Sequence, residues 1–340
     1  VELLADLIQH PAFTAEETDR LRKARATSLL QDTDQPLRLA ALDELRALYG
    51  ADNPYGYNLL GTESSLAAIT PSDLESFWKA HYGPSDTALI LAGDLTTADA
   101  HTLAETYFGK WASSATATQP PPTPPAVTRK IILIGQPGAP QTALIATSIG
   151  VPRSNPDYMP LQVVNNMLGG LFSSRISMNL REVHGYTYGA GSRFDYRRGA
   201  GPFFARSSVR TDVTAPALHE LVGELERIRT EPLTADELKR SKDDLMQALP
   251  GDFETADDVA SQLGQLFLYN LPLDYYRTYP LSVAAVTAEQ AAAAADKYIH
   301  PEQMVLIGVV DVAKIRPEIE KLNLGPVVEW NPKLEPVAGR

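Results

Sequence analysis

The chain carries six histidines, His10, His81, His101, His184, His219 and His300, and no two of them lie within four residues of each other. Neither HxxEH nor HExxH occurs; these spacings set two imidazoles and a general-base carboxylate on one helix face around zinc. Cysteine is absent, which removes disulfides, thiol nucleophiles and thiolate metal sites together. Arg181 and Tyr188 stand seven residues apart with Gly185 between them, where the pattern turns from helix to strand after His184. A guanidinium stays charged at any working pH and offers several donors in one plane, and a phenol adds a directional donor without net charge. On spacing alone the simplest account of the two is local. Arg181 at a helix end would pair with Glu182 or a carbonyl, and Tyr188 would pack on Tyr186. Gly169 and Gly170 can admit a close backbone approach or simply end a helix, and Arg175 can pack at a core edge or reach a ligand.

The elements that must position these residues belong to 340 residues of ordinary globular composition, 44% apolar and 21% charged. That length suits two domains with a core each. The clearest break is 113–128, centred on Pro120-Pro121-Pro122-Thr123-Pro124-Pro125. Such a run favours extended polyproline II and would span about 19 Å as a linker. It separates residues 1–112 from 129–325, with 326–340 as a tail. The two parts repeat each other: Phe13 to Arg20 realigns with Leu233 to Arg240, and Ile69 to Asp73 with Val286 to Gln290. Thr-x-x-Glu before a helical pattern is an N-cap with a capping box, so each copy starts a helix there. Strands are expected at 87–94 in the first part and 304–311 in the second, each followed by a last helix.

The second part is longer at its beginning, with strands expected at 130–134, 142–149, 186–194 and 201–210 and a helix at 158–168. The first part has no counterpart to these and is expected to be truncated. The chain opens at Val1 inside an amphipathic pattern, so further residues, and any export signal, are expected upstream.

The net charge of −12 and pI near 5.0 argue against nucleic acid or an anionic membrane as the main partner. They suit basic or extended peptides, or simply a soluble acidic surface. No apolar run approaches the ~18 residues of a membrane span.

The stretch Leu168-Gly169-Gly170-Leu171-Phe172-Ser173-Ser174-Arg175, followed by Asn179-Leu180-Arg181-Glu182-Val183-His184-Gly185-Tyr186-Thr187-Tyr188, resembles the M16 (pitrilysin and processing-peptidase) family. Pro11-Ala12-Phe13, Asn53-Pro54-Tyr55-Gly56 with Gly61-Thr62, and Gly93-Asp94 sit in the matching order, so the resemblance covers essentially the whole chain. It implies an α+β fold of tandem two-layer α/β-sandwich domains, two pairs of which close like a clamshell around a peptide. Active members carry HxxEH in the first domain and a third ligand Glu on a later helix. The C-terminal domain of the same chain or of a partner supplies an Arg and a Tyr that hold the substrate carbonyl. Carried onto this chain, those are Arg181 and Tyr188, with Gly169, Gly170 and Arg175 as candidate substrate contacts.

Aligning the family's ligand helix on Arg20-Leu21-Arg22 puts the third-ligand position at Ser28. No Glu occurs between Glu17 and Glu44, and the equivalent position of the second repeat is Ala248. A neutral serine cannot offset zinc charge as a carboxylate does. The resemblance therefore implies a zinc-less subunit of a bacterial heterodimer, with Zn2+ in an HxxEH-containing M16 partner and a peptide as substrate. Three other readings stay open: an active M16 zinc endopeptidase whose HxxEH part lies upstream, a non-proteolytic M16-like core or scaffold protein, and a simple peptide-binding module without a cleaving partner. Family habit implies a periplasmic location, with the cytoplasm as the alternative. The purified chain should hold no stoichiometric zinc after purification in its presence; elemental analysis showing one tightly held zinc per chain would sink the Ser28 reading.

Overall fold

The computed structural model describes residues 1–112, 115, 122–333 and 335–337. Pro120 and Pro121 of the expected linker lie outside the described residues, as do 113, 114 and 116–119, and residues 122–129 run without helix or strand. In chain order come α1 (Glu2–Gln9), α2 (Ala15–Asp34), α3 (Pro36–Tyr49), α4 (Glu63–Ala68), α5 (Pro71–His81) and α6 (Thr97–Phe108). Then follow β1 (Lys130–Gly135), β2 (Gln141–Ile149), α7 (Tyr158–Asn165), a π-helical turn at Asn166–Gly170, the single turn α8 (Arg175–Ser177) and a second π-turn at Met178–Val183. After these come β3 (Thr187–Phe194), β4 (Pro202–Arg210), α9 (Thr214–Thr230), α10 (Ala235–Ala248), α11 (Ala256–Leu268), α12 (Tyr275–Ala285), α13 (Ala288–Tyr298), β5 (Val305–Val310), α14 (Val312–Lys321) and β6 (Val327–Trp330). No helix among the described residues is long and apolar enough to cross a membrane.

The repeated capping sequences do start helices. Asp73 N donates to Thr70 Oγ1 at 3.2 Å while Thr70 N donates to the Asp73 carboxylate at 2.8 Å. The same reciprocal pair joins Thr234 to Glu237 and Thr287 to Gln290. At Thr14 only one half is present among the described residues, and the Glu17 carboxylate accepts from Arg20.

Contacts divide the chain into two compact units. One comprises Val1–Leu30, Leu59–Pro120 and Leu249–Leu273; the other comprises Gln31–Asn58, Pro121–Ala248 and Asp274–Arg340. The first unit is helical and thinly cored. Ala5, Thr18, Leu66 and Leu266 are buried, whereas Leu3, Leu7, Leu59, Phe77 and Phe267 are exposed. Polar side chains reaching carbonyls stitch it: Trp78 Nε1 to Ile8 O at 2.8 Å, Gln9 Nε2 to Tyr107 O at 2.8 Å, and Arg22 to Leu66 O and Ile69 O at 3.0 and 2.6 Å. Residues 87–94, expected as a strand, form no ladder. An apolar run becomes a strand only beside another strand, and none is described in this unit to pair with it.

The second unit holds a six-stranded mixed sheet in the order β3-β4-β2-β5-β1-β6. β1 runs parallel to β5 and β6, while β2 is antiparallel to β4 and β5, and β3 to β4. Successive side chains of a strand point to opposite faces, and here both faces are apolar. Ile131, Leu133, Leu144, Ala146, Leu306 and Val310 join one core cluster with Leu161, Leu168, Leu221 and Ala294 from the helices α7, α9 and α13 and the first π-turn. Ile132, Ile134, Ala143, Ile145, Val305, Ile307 and Val309 join another with Leu39, Ala40, Leu48 and Tyr49 of α3. Residues 36–49 fall in the stretch that the sequence groups with a first domain; here they cover the second face of this sheet. Likewise Val327–Trp330, inside the expected tail, pairs with β1 as an edge strand. Apolar strand faces gain roughly 1.5–3 kcal/mol per large side chain buried, which draws both segments onto the sheet.

The cover is chemically unusual. Asp43 and Glu44 of α3 are both buried, and among the described residues neither Asp43 oxygen has a hydrogen-bond partner. Thr147 Oγ1 lies 2.6 Å from Glu44 Oε1 and 2.9 Å from Phe203 O. The single Thr147 hydroxyl is thus shared between the Glu44 carboxyl and the Phe203 carbonyl, and it is the one hydrogen-bond donor the buried Glu44 carboxyl has among the described residues. Burial pushes the Asp43 carboxyl up to about 8 and Glu44 up to about 7. A group that holds its proton more tightly folded than unfolded makes stability fall as pH rises between the two pKa values, for Glu44 from its ordinary 4.5 to about 7. Glu44→Gln should flatten that fall and stabilise the docked helix by up to about 3 kcal/mol near pH 8. Hydrogen-exchange protection of residues 36–49 in urea, measured near pH 5 and near pH 8, checks this; equal pH dependence in wild type and variant would overturn it.

Candidate functional site

The two π-turns carry Gly169, Gly170 and Arg181, while Arg175 lies on α8 and Tyr188 on β3, and each turn is fastened to its surroundings by asparagines. Asn165 Nδ2 donates to Ser192 O at 3.2 Å and its Oδ1 accepts from Ser192 Oγ at 2.8 Å, tying the first turn to β3. Asn179 Nδ2 donates to Glu220 at 3.0 Å and to the buried Glu224 at 2.6 Å, tying the second to α9. Wide π-turns of this kind recur where a helix must redirect a side chain. Gly185 then reverses the chain at φ +64°, a left-handed conformation suited to glycine, as its N–H reaches Arg181 O at 3.1 Å and Tyr186 N reaches Leu180 O at 2.9 Å.

Arg181 leans on the face of Phe172, its guanidinium carbon 3.4 Å from the ring centroid, and its Nε donates to Glu182 Oε1 at 2.8 Å, with Nη2 on the same oxygen. The pairing with Glu182 that spacing alone suggests is therefore present. Nη1 makes no hydrogen bond among the described residues. Cation–π contact and the single carboxylate oxygen fix the plane of the guanidinium while leaving that edge open.

Tyr188 does not pack on Tyr186, whose ring stacks instead on His184 at 4.9 Å. It is 95% exposed. The register explains why: Thr187 pairs with Val209 and Ala190 with Ser207, so β3 carries one extra residue in a bulge. Gly189 N donates to Thr187 Oγ1 at 3.0 Å, Thr187 Oγ1 donates to Ser208 O at 2.6 Å, and Ser207 Oγ donates to Gly189 O at 3.1 Å. A bulge re-aims the side chain at its crest, and these three bonds hold the crest still. Arg210, raised above its ordinary value chiefly by its hydrogen bond to Asp212, also feels Tyr188 and reaches Gly185 O at 3.4 Å.

The other candidates have internal employment. A Cβ on Gly169 would collide with Ser192 N of β3, and one on Gly191 would meet Gly169 O at 2.6 Å. The close backbone approach of Gly169 is thus to the chain's own strand. A Cβ on Gly170 would press on Asn166 Oδ1 at 2.7 Å. Arg175 is bidentate with Glu237, Nε and Nη2 each 2.8 Å from an oxygen, and donates to Glu231 O and Pro232 O at 2.8 and 3.3 Å. Hydrogen bonding from Arg175 holds the Glu237 carboxyl down at about 2. Ser28 is a half-buried residue of α2, and no group of three or more His, Asp or Glu among the described residues is gathered to hold a metal ion. The donor set present does not fit zinc. Phe172, Thr187 and Ser207 were not singled out from the sequence. Nothing in their types flags them; only the fold brings them to Arg181 and to the bulge.

Arg175→Ala should destabilise the unit by about 2–3 kcal/mol, because a partly buried carboxylate loses its charged donor. The pair's contribution is full above the ordinary Glu value of 4.5 and is lost as pH falls toward about 2. A melting temperature unchanged by Arg175→Ala, with peptide binding weakened, would instead make Arg175 a ligand contact.

The profile of the family described as Peptidase M16 inactive domain matches residues 68–245. The chain is 25% identical over 320 residues to the mitochondrial-processing peptidase subunit beta of Blastocladiella emersonii, covering 91% of this chain and 67% of that protein. It is 23% identical over 268 residues to an uncharacterized zinc protease of Bacillus subtilis (strain 168), covering 78% of this chain and 64% of that protein. It thus spans about two thirds of the length of these curated relatives. Among solved structures it is similar to a peptidase M16 inactive domain from Pseudomonas fluorescens, with 27% identity and a TM-score of 0.83 over 91% of this chain and 74% of that one. A protease from Helicobacter pylori, 18% identical, shares the fold with a TM-score of 0.79 over 91% of this chain and 75% of that one. With more than half of its length matched by the family profile, this chain belongs to the M16 peptidase family.

Proposed function

We propose that this chain is the zinc-less subunit of an M16 metallopeptidase heterodimer, binding an extended peptide and presenting Arg181 and Tyr188 to the partner's active site. The observation that carries the reading is Tyr188: a large side chain, 95% exposed, on a bulge pinned by three hydrogen bonds. Burying an aromatic is where its folding value lies. Here the pinned backbone of the bulge presents the ring to solvent instead, which suits a ligand contact.

The chemistry assigned to this chain is to hold the scissile carbonyl. The open edge of Arg181 and the Tyr188 hydroxyl donate to the carbonyl oxygen, and both bonds strengthen as that oxygen gains negative charge during attack by water. The metal, which Ser28 and the dispersed histidines do not suit, belongs in this reading to a partner bearing HxxEH. A relative whose name makes it one subunit of a processing peptidase supports a two-chain arrangement.

Mixing this chain with an HxxEH-containing M16 partner should restore or raise peptidase activity. Arg181→Ala or Tyr188→Phe should then lower kcat about 10²-fold or more, with kcat/KM falling in step, as for a contact made mainly in the transition state. Steady-state kinetics paired with sedimentation of the assembled pair checks this. Variants that assemble normally and cleave at the wild-type rate would favour a scaffold role instead.

A further inference from the structure

Beside the bulge lies a recess of about 450 Å³ whose lining includes Leu37, Gln141, Thr187, Tyr188, Arg206 and Ser208. Its chemistry is set by Arg206. This residue sits on β4 opposite Ile145 of β2 and Gly191 of β3, so its β3 neighbour contributes no side chain. It is exposed, its guanidinium carbon lies 5.2 Å from the Phe204 ring centroid, and among the described residues it makes no ion pair. Three other arginines of this unit already hold carboxylates. Arg197 holds Asp195 at 2.8 Å, Arg210 holds Asp212 at 3.1 Å and Arg181 holds Glu182. Glu44, which feels Arg206, is buried and hydrogen-bonded to Thr147 at 2.6 Å. In a chain of net charge −12, an arginine left without a carboxylate in a polar recess is an uncompleted pair.

We infer that this recess takes a carboxylate of the bound peptide, with Arg206 as its counter-ion and Tyr188 as the adjoining wall, so that Arg206 determines specificity. The planar fork of a guanidinium matches a carboxylate with two parallel hydrogen bonds. Ser208 and Gln141, lining the same recess, offer further polar groups to an extended chain. The carboxylate can be an Asp or Glu side chain or the peptide's C-terminus; both present the same group to Arg206. The inference rests on the reading that this chain binds peptide, and it adds a residue that plays no part in holding the scissile carbonyl.

The test uses the full chain and three fluorescent peptides of about ten residues, otherwise identical: one with a central Glu and an amidated end, one with Gln and a free C-terminus, and one with Gln and an amidated end. Anisotropy titrations should show at least one carboxylate peptide binding about tenfold tighter than the neutral one, and which one does so identifies the source. Arg206→Gln should bring that peptide down to the neutral peptide's affinity without changing the neutral peptide's own. Arg206→Lys should keep part of the preference, since charge survives but the fork does not, and added salt should erode the wild-type difference. Equal binding of all three peptides by the wild type, or a uniform loss in Arg206→Gln, would overturn the inference while leaving peptide binding intact. Binding of none of them would overturn it together with the peptide-binding half of the proposed function.

Discussion

A sheet whose central strands are apolar on both sides cannot remain bare on either. β1, β2 and β5 alternate so that Ile131 and Leu133 face one way and Ile132 and Ile134 the other, and leaving either set wet would forfeit most of what those side chains contribute. One face is covered by helices that follow β2 in the chain. The other is covered by α3, which precedes the sheet by some eighty residues of sequence. That single docking makes the sheet's interior dry on both sides, and β4 and the edge strand β3 extend the sheet from β2.

The docking carries a chemical cost. α3 brings two carboxyl groups with it, and the sheet offers them one hydroxyl, that of Thr147. Neutral acids in such a place are tolerated because an ionised carboxylate there would cost far more than a proton. Arg206 and Arg197 both favour negative charge on Glu44, against its burial, without reaching it as ion-pair partners.

The arginines of this unit divide by use. Arg175 spends its donors on Glu237 and two carbonyls and belongs to the scaffold. Arg181 is held by Phe172 and Glu182 but keeps an open edge. Arg206 has no carboxylate among the described residues. The ordering runs from structural to available, and the supports near Arg181 and Tyr188 are fixed: π-turns anchored by Asn165 and Asn179, and a bulge locked by Thr187 and Ser207. Sites on well-supported elements hold donors at fixed positions, which is what recognition of a carbonyl or carboxylate demands.

Much of this was legible in the residues themselves. Thr70, Thr234 and Thr287 announced helix starts because a capping box is local, closed within four residues. The strands at β1, β2, β4 and β5 were legible because their apolar side chains are, and the order of short motifs around Gly169, Arg181 and Tyr188 led to the family. What the sequence could not decide was anything requiring a second segment. The run at 87–94 has strand composition, yet a strand exists only with a neighbour to bond. Residues 36–49 read as part of a first domain, yet an apolar helix face goes to whichever surface needs covering. Arg175 looked as available as Arg181 until Glu237, sixty-two residues away, closed on it. Composition and spacing determine which groups a chain possesses and which local turns they make; whether a donor is consumed or left open depends on partners that only tertiary packing brings within three ångströms.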